Sequence, residues 1–253
     1  MATNFPHRGE PAPPPKPALS GYVGSDRHYR TGTGNPPLRP DPGAGPWNSR
    51  PRTASAIAQH AGLLGLVMHG TPNVYPGINA TRHLRHYLLN TGLPYTIDLE
   101  DMVRSVPSAG PWMVREFRQA QGFLKTLPVG RHRFTSIFAE GGSYNVQEEN
   151  ADWFFAIGGY ARWGRGEATI SDGKIGRHYE IDFEYCVYDR YNWDGGKSVT
   201  IMGTTVTDDF MGEFHRQGLA REFDCHGAIQ RKLVWDGDFG APDKTLILRR
   251  PGR

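Results

Sequence analysis

Tyr179-Glu180-Ile181-Asp182-Phe183-Glu184-Tyr185 alternates apolar and acidic residues without interruption. Successive side chains of an extended chain point to opposite faces, so this run predicts a strand with an aromatic face on a core and an acidic face in water, as in a half-buried antiparallel sheet. Working outward, Arg131–Phe138, Trp153–Trp163, Gly166–Ser171, His178–Val187, Ser198–Val206 and Ile229–Trp235 are short, aromatic and β-branched, and Gly-rich turns separate them. Asp172-Gly173-Lys174 is a hairpin signal between two of these runs. Asp208–Phe223 breaks the pattern: Phe210, Met211, Phe214 and Leu219 fall at helical spacing, with Asp208 or Asp209 as N-cap.

Upstream of Pro128 the texture is helical. Ala54–Met68 is apolar and small, Asn79–Arg82 opens a run in which Leu84, Tyr87 and Leu88 share a face, and Thr96–Val106 and Pro111–Leu127 read as two more helices. His83 and His86 are three apart on the second of these, but no third ligand lies nearby, and they read as solvated or capping residues. Residues 1–52 hold 12 of the chain's 20 prolines and seven Lys or Arg against three Asp or Glu, a composition that buries no core and reads as a polyproline-like tail or a delivery segment. The expected architecture is α+β: a Pro-rich segment (1–52), a helical subdomain (53–127) and a mainly antiparallel, open barrel-like β-rich domain (128–253) carrying any chemistry.

Several function classes are disfavoured by bulk properties. A net charge of +3 on 253 residues is too weak a basicity to imply a nucleic-acid partner. Cys186 and Cys225 are the only cysteines, so there is neither a disulfide framework nor a CxxC metal pair; one disulfide between them stays open, and buried free thiols are the expected reading. No run approaches 18 apolar residues, and the first residues lack the apolar core of a secretory signal, so export is expected to use lysis or a dedicated machine.

The chemistry concentrates just beyond the alternating strand, in Tyr188-Asp189-Arg190-Tyr191-Asn192-Trp193-Asp194-Gly195-Gly196, followed by Asp208-Asp209 and His215-Arg216. Period-two geometry delivers Asp189, Tyr191 and Trp193 to one side, so an acid and a phenol would face one pocket. Asn192 and Asp194 sit in a turn able to offer oxygen ligands, and Asp189, Asp194 and Asp209 are the candidate ligands of a Mg²⁺ ion. His215 has the chemistry of a general acid or base, and Arg216 that of a bidentate phosphate clamp. Asp and His for proton transfer with Arg and a cation for developing negative charge is the set used in phosphoryl chemistry. Taken singly, each Asp or Asn here is equally a turn-capping residue.

In this context the C-terminal half resembles the catalytic domain of the colicin M family of bacteriocins, which cleave the pyrophosphate linkage of the cell-wall precursor lipid II. The resemblance covers residues 127–235 and rests on the order of features: Leu127-Pro128-Val129-Gly130 before a strand, Trp153 with Ala156-Ile157-Gly158-Gly159-Tyr160, then Asp189-Arg190-Tyr191-Asn192-Trp193. The family signature is Asp-x-Tyr-Asp, an aromatic, and a His-Arg pair five residues past the second Asp. Asp189, Tyr191 and Trp193 match it; Asn192 replaces the second Asp, Lys197-Ser198-Val199 stands where His-Arg is expected, and a displaced His215-Arg216 follows Asp209 instead.

The resemblance implies an antibacterial toxin that hydrolyses a lipid-linked phosphate substrate at the membrane surface in the target's periplasm. It further implies a cognate immunity protein and a delivery component engaging the Pro-rich N-terminus. On that reading Asp189 and His215 handle protons, Arg216 holds phosphate, and Tyr191 and Asn192 position the substrate. Two alternatives stay open: a nuclease-type toxin using the same groups, and a non-enzymatic β-rich binding module in which Trp153, Trp163, Trp193 and Trp235 are core.

Overall fold

The alternating stretch is the middle of a 16-residue strand in the computed structural model, which describes residues 28–69, 77–196, 198–201 and 204–237. This strand, β6 (Gly176–Tyr191), buries Tyr179, Ile181, Phe183, Tyr185 and Val187 and turns Glu180 and Asp182 outward. It is joined to β5 (Gly159–Gly173) by a two-residue turn where Asp172-Gly173-Lys174 signals one. β9 (Phe223–Asp236) pairs along the other edge of β6, again antiparallel, from Tyr191↔Phe223 to His178↔Asp236. β3 (Gly130–Ser136) and β4 (Glu140–Tyr144) both pair with β5, β1 (Tyr29–Thr31) pairs with β3, and β2 (Tyr95–Thr96) runs parallel to β9. The sheet therefore has seven strands in the order β1-β3-β5-β6-β9-β2, with β4 on β5, and it does not close. The fold is mixed α+β with a mainly antiparallel open sheet, as expected.

Helices cover the aromatic face. α4 (Ala109–Lys125) sets Phe117 edge-on to Phe183, ring centroids 4.7 Å apart, and α3 (Leu99–Ser105) adds Met102. α2 (Ile78–Leu88) buries Tyr87 and Leu88, while α1 (Ala54–His69) buries only Ala56. Residues from the helices and from the sheet belong to one hydrophobic cluster, so 53–127 and 128–253 share a core rather than owning one each. The reason is that the sheet's aromatic face has no second sheet to bury it, and each Phe or Leu so covered contributes about 1.5–3 kcal/mol.

Three local expectations are corrected. Trp153 lies not in a strand but in α5 (Ala151–Ala156), because Asn150 caps it by accepting the Trp153 N–H at 3.1 Å; the strand begins only at Gly159. α6 (Asp208–Arg216) is capped by Thr207, whose hydroxyl accepts the Phe210 N–H, leaving Asp208 and Asp209 in the first turn. His83 is buried rather than solvated: Nδ1 bonds the Asn79 carbonyl and the ring packs on Tyr95. The segment before α6 is a separate hairpin, β7 (Ser198–Ile201) with β8 (Thr204–Thr207). Cys186 and Cys225 are free and buried, and the four tryptophans at 153, 163, 193 and 235 are core.

The tail reading also changes over residues 28–52. His28 and Tyr29 are buried, β1 extends the sheet, and the following arm runs back across the molecule to α6. Residues 1–27 of the expected delivery segment lie outside the described residues.

Candidate functional site

The register Ala161↔Tyr188 brings the start of β5 and the end of β6 to one end of the sheet. There the arm and the residues around the β3–β4 turn close a cavity of about 470 Å³, lined among others by Arg39, Asp41, Tyr160, Asp189, Arg190 and Asn192. Asp189 is half-buried on its wall. Asn192 is buried, and its Nδ2 makes no hydrogen bond among the described residues, leaving an unused donor at the cavity.

Of the two arginines that line the cavity, Arg190 is the one carried by the sheet. Its neighbour across the ladder is Asp224, whose Oδ1 accepts from Arg190 Nη1 at 3.2 Å and from the Tyr188 hydroxyl at 3.0 Å. Burial first, and then the Asp224 carboxylate, push the Tyr188 phenol well above its ordinary range, so it stays a donor. Behind Arg190 lies Glu222, buried, with Oε1 accepting the backbone N–H groups of Trp193 at 2.9 Å and Ala44 at 2.8 Å. Its Oε2 has no hydrogen bond among the described residues and faces Arg190 Nη2 at 3.8 Å. Burial raises the Glu222 pKa, and the two N–H groups and Arg190 oppose that rise. Gly43 makes this approach feasible: it has φ 61°, and a Cβ there would stand 2.2 Å from the Glu222 carboxylate.

The remaining site candidates are placed otherwise. Tyr191 is core, stacked on Phe223 with ring centroids 5.0 Å apart, and the phenols lining the cavity are Tyr160 and Tyr188. His215 is buried; Nδ1 accepts the Glu222 N–H at 3.1 Å, so Nε2 carries the proton and donates to the Gly45 carbonyl at 3.0 Å. Desolvation lowers its pKa and keeps the ring neutral. Arg216 is engaged with Glu213, the Ala44 carbonyl and the Asp209 carbonyl. Neither His215 nor Arg216 lines the cavity; both fasten the arm to α6, together with Asn48 N–H to the His215 carbonyl and Arg50 N–H to the Arg216 carbonyl. This lacing ties the arm that carries Arg39 and Asp41 to α6.

The three proposed Mg²⁺ ligands are not gathered. Asp209 is exposed and leans over Gly195, where a Cβ would meet its Oδ1 at 2.7 Å, and Asp189 lies on the cavity wall. Among the described residues, the trio of potential ligands within 4.8 Å of one another is His28, Glu116 and Glu140. Arg162 occupies that cluster, 3.8 Å from Glu116 and 2.7 Å from Glu140, so a guanidinium already supplies the positive charge. The arrangement does not fit a preassembled Mg²⁺ site.

Sequence reading passed over Arg190, Arg39, Asp41, Glu222 and Asp224. Arg190 stood in plain view as the variable position of Asp-x-Tyr, and the parity rule that sends Tyr191 inward sends Arg190 to the other face. For Arg39 and Asp41 no local signal existed, because their place depends on the arm folding back.

The chain matches no family model and no curated protein. Among solved structures it is similar to PaeM, a colicin M-like bacteriocin produced by Pseudomonas aeruginosa, at 15% identity and a TM-score of 0.35 over 64% of this chain and 53% of that one. It is also similar to truncated bacteriocin syringacin M from Pseudomonas syringae pv. tomato DC3000, at 13% identity and a TM-score of 0.30 over 63% of this chain and 60% of that one. In both cases less than two thirds of the neighbour's length is spanned.

Proposed function

We propose that this chain is an antibacterial toxin that hydrolyses a phosphate linkage of a lipid-linked peptidoglycan precursor, with the cavity at the end of β5 and β6 as its active site. The observation that carries this reading is the cavity's lining: two guanidinium residues, Arg39 and Arg190, with the carboxylate residue Asp189 and the unused amide donor of Asn192. A substrate with spread negative charge satisfies that set, and a neutral one leaves it unsatisfied.

In this reading Asp189 takes a proton from the attacking water. Arg39 and Arg190 neutralise the charge that develops on the phosphoryl oxygens, and Asn192 Nδ2 donates to one of them. Asp224 and Glu222 hold Arg190 in register, the Tyr188 hydroxyl buttresses Asp224, and His215 and Arg216 keep the arm closed. The target is periplasmic, an immunity protein protects the producer, and the Pro-rich N-terminus engages the delivery machinery.

The test is viability of a bacterial host expressing the protein in the periplasm or the cytoplasm, with Asp189→Ala in both. Lysis confined to the periplasmic form, and lost in Asp189→Ala, is the expected outcome. Toxicity confined to the cytoplasm would overturn the envelope target in favour of a nuclease-type toxin, and harmlessness in both compartments would leave a binding module.

A further inference from the structure

The charged residues that line the cavity are two arginines, Arg39 and Arg190, and two aspartates, Asp41 and Asp189, so the formal charges of its lining cancel among the described residues. Arg190 is offset further from outside the lining, by Asp224 at 3.2 Å and Glu222 at 3.8 Å. A cleft built only to attract phosphate keeps its guanidiniums in excess. This one restrains its own attraction, and of its two aspartates only Asp189 has a role in the reaction proposed above.

Asp41 comes from the arm. It is half-buried, and its Oδ1 accepts the Gly43 N–H at 2.9 Å, which fixes the carboxylate in a short turn. Among the described residues it forms no ion pair. Its charge is felt at the end of the sheet: burial raises the Glu222 pKa first, and Asp41 adds to that rise. The turn does not require the charge, because an Asn or Ser side chain would accept from the Gly43 N–H as well. A carboxylate held at a cavity wall without a cationic partner acts on whatever enters the cavity.

We infer that Asp41 sets the specificity of the cavity by charge, admitting phosphates within a linkage and rejecting terminal phosphates. The inference rests on reading the cavity as a phosphate site, and it narrows the substrate class of that site. A terminal phosphate carries about −1.5 to −2 charges at pH 7, against about one for a phosphate esterified on both sides. In the cavity the additional charge meets the Asp41 carboxylate, and repulsion between like charges in a partly solvated site costs about tenfold in affinity. An unfavourable contact set against the wrong ligand is how a site discriminates between ligands that satisfy the same donors. Hydrolysis of an internal linkage adds water across it and leaves one product with a terminal phosphate. The same carboxylate therefore favours product release.

Isothermal titration of the purified full chain with inorganic pyrophosphate and with P,P′-dimethyl pyrophosphate, a diester without a terminal phosphate, tests it. The unchanged chain should bind the diester about tenfold more tightly, and Asp41→Asn should tighten inorganic pyrophosphate about tenfold, bringing the ratio near one. Asp41→Ser, which also keeps an acceptor for the Gly43 N–H, should do the same, and an unchanged thermal melt checks that both variants are folded. The gain should disappear when Arg190→Met is added to Asp41→Asn. A ratio that neither variant moves overturns the inference, as does preference of the unchanged chain for inorganic pyrophosphate, or no binding of either probe. A gain that survives Arg190→Met overturns it as well, by placing the anion outside the cavity. The toxin reading is judged apart from this, by Asp189→Ala in cells: a harmless protein that still shows the ratio dependent on Asp41 would sink that reading and leave the charge selection standing.

Discussion

Two buried clusters in this molecule are built from the same residue types, a His, a Glu and an Arg joined to the N-terminal arm, and they are put to different use. Under the helices, Glu116 Oε1 accepts from His28 at 2.9 Å, from the Tyr29 hydroxyl at 2.7 Å and from Ser136 at 3.2 Å, while Arg162 faces Oε2 and stacks on Trp112 at 4.2 Å. Burial pushes the Glu116 pKa up, but the hydrogen bond and charge of His28, the Tyr29 hydroxyl and Arg162 outweigh it, and the net shift is downward. At the end of the sheet, Glu222 has two backbone donors and a more distant guanidinium, burial wins, and its pKa rises. The first cluster is closed to water, with Glu116 and Arg162 both inaccessible; in the second, Arg190 still reaches a cavity. A charge cluster sealed from water holds a fold together. One that opens on a cavity wall is free to act on a ligand.

The comparison breaks most decisively at Arg162. Arg162→Met should cost about 3–5 kcal/mol in chemical denaturation, because it removes the buried guanidinium that faces Glu116 and pairs with Glu140. A loss below about 1 kcal/mol would mean that the Glu116 cluster is not what fastens the arm and α4 to the sheet.

Arg190→Met is the counterpart. It should lower toxicity, or hydrolysis of a lipid-linked pyrophosphate, by about 10²-fold, as removal of one preorganised charge donor does, while the unfolding midpoint moves little because Arg190 is partly solvated. Equal losses of stability and activity would make both clusters structural.

Glu222→Gln sharpens the contrast. The amide oxygen can still accept from Ala44 and Trp193, so removing a carboxylate whose pKa is raised should stabilise the fold at neutral pH by about 1 kcal/mol; Glu116→Gln should destabilise it. Matching signs in the two denaturation curves would refute the distinction.

The smallest effect concerns pH. The folded pKa of His215 lies below its ordinary 6.5, so in the window beneath that value the unfolded chain binds a proton that the native state does not. His215 therefore makes stability fall as pH drops from about 6.5 toward its folded pKa, and it has no effect above. In His215→Gln that component of the acid limb should vanish, leaving a flatter dependence of melting temperature between pH 5 and about 6.5.

Much of the fold was legible because its cause is local. Strict alternation in Tyr179–Tyr185 set strand and parity, Asp172-Gly173 set the hairpin, and helical spacing located α1, α2, α4 and α6. Misreadings arose where one side chain overrode periodicity: Asn150 nucleates α5 in a run whose aromatics resemble a strand, and Thr207 takes the cap that Asp208 or Asp209 was expected to fill. At the candidate site, Asp189 and Asn192 reach the cavity because they sit at the end of a strand whose position the sequence declares. Tyr191, His215 and Arg216 were assigned by chemical type; the fold buries Tyr191 and His215 and bonds Arg216 to the arm, away from the cavity lining.

Read alone, the sequence determined an α+β chain with an antiparallel aromatic-faced sheet, an acid-free apolar helix and a concentration of reactive groups after Val187. These properties follow from periodicity and composition, which act over a few residues. Only the tertiary structure decided that Arg190 faces the cavity while Arg216 laces the arm, that Glu222 meets the N–H of Ala44 from 178 residues away, and that one core serves helices and sheet. Buried charges are satisfied by whatever partner the folded chain brings within hydrogen-bond reach. Separation along the chain carries no record of that choice.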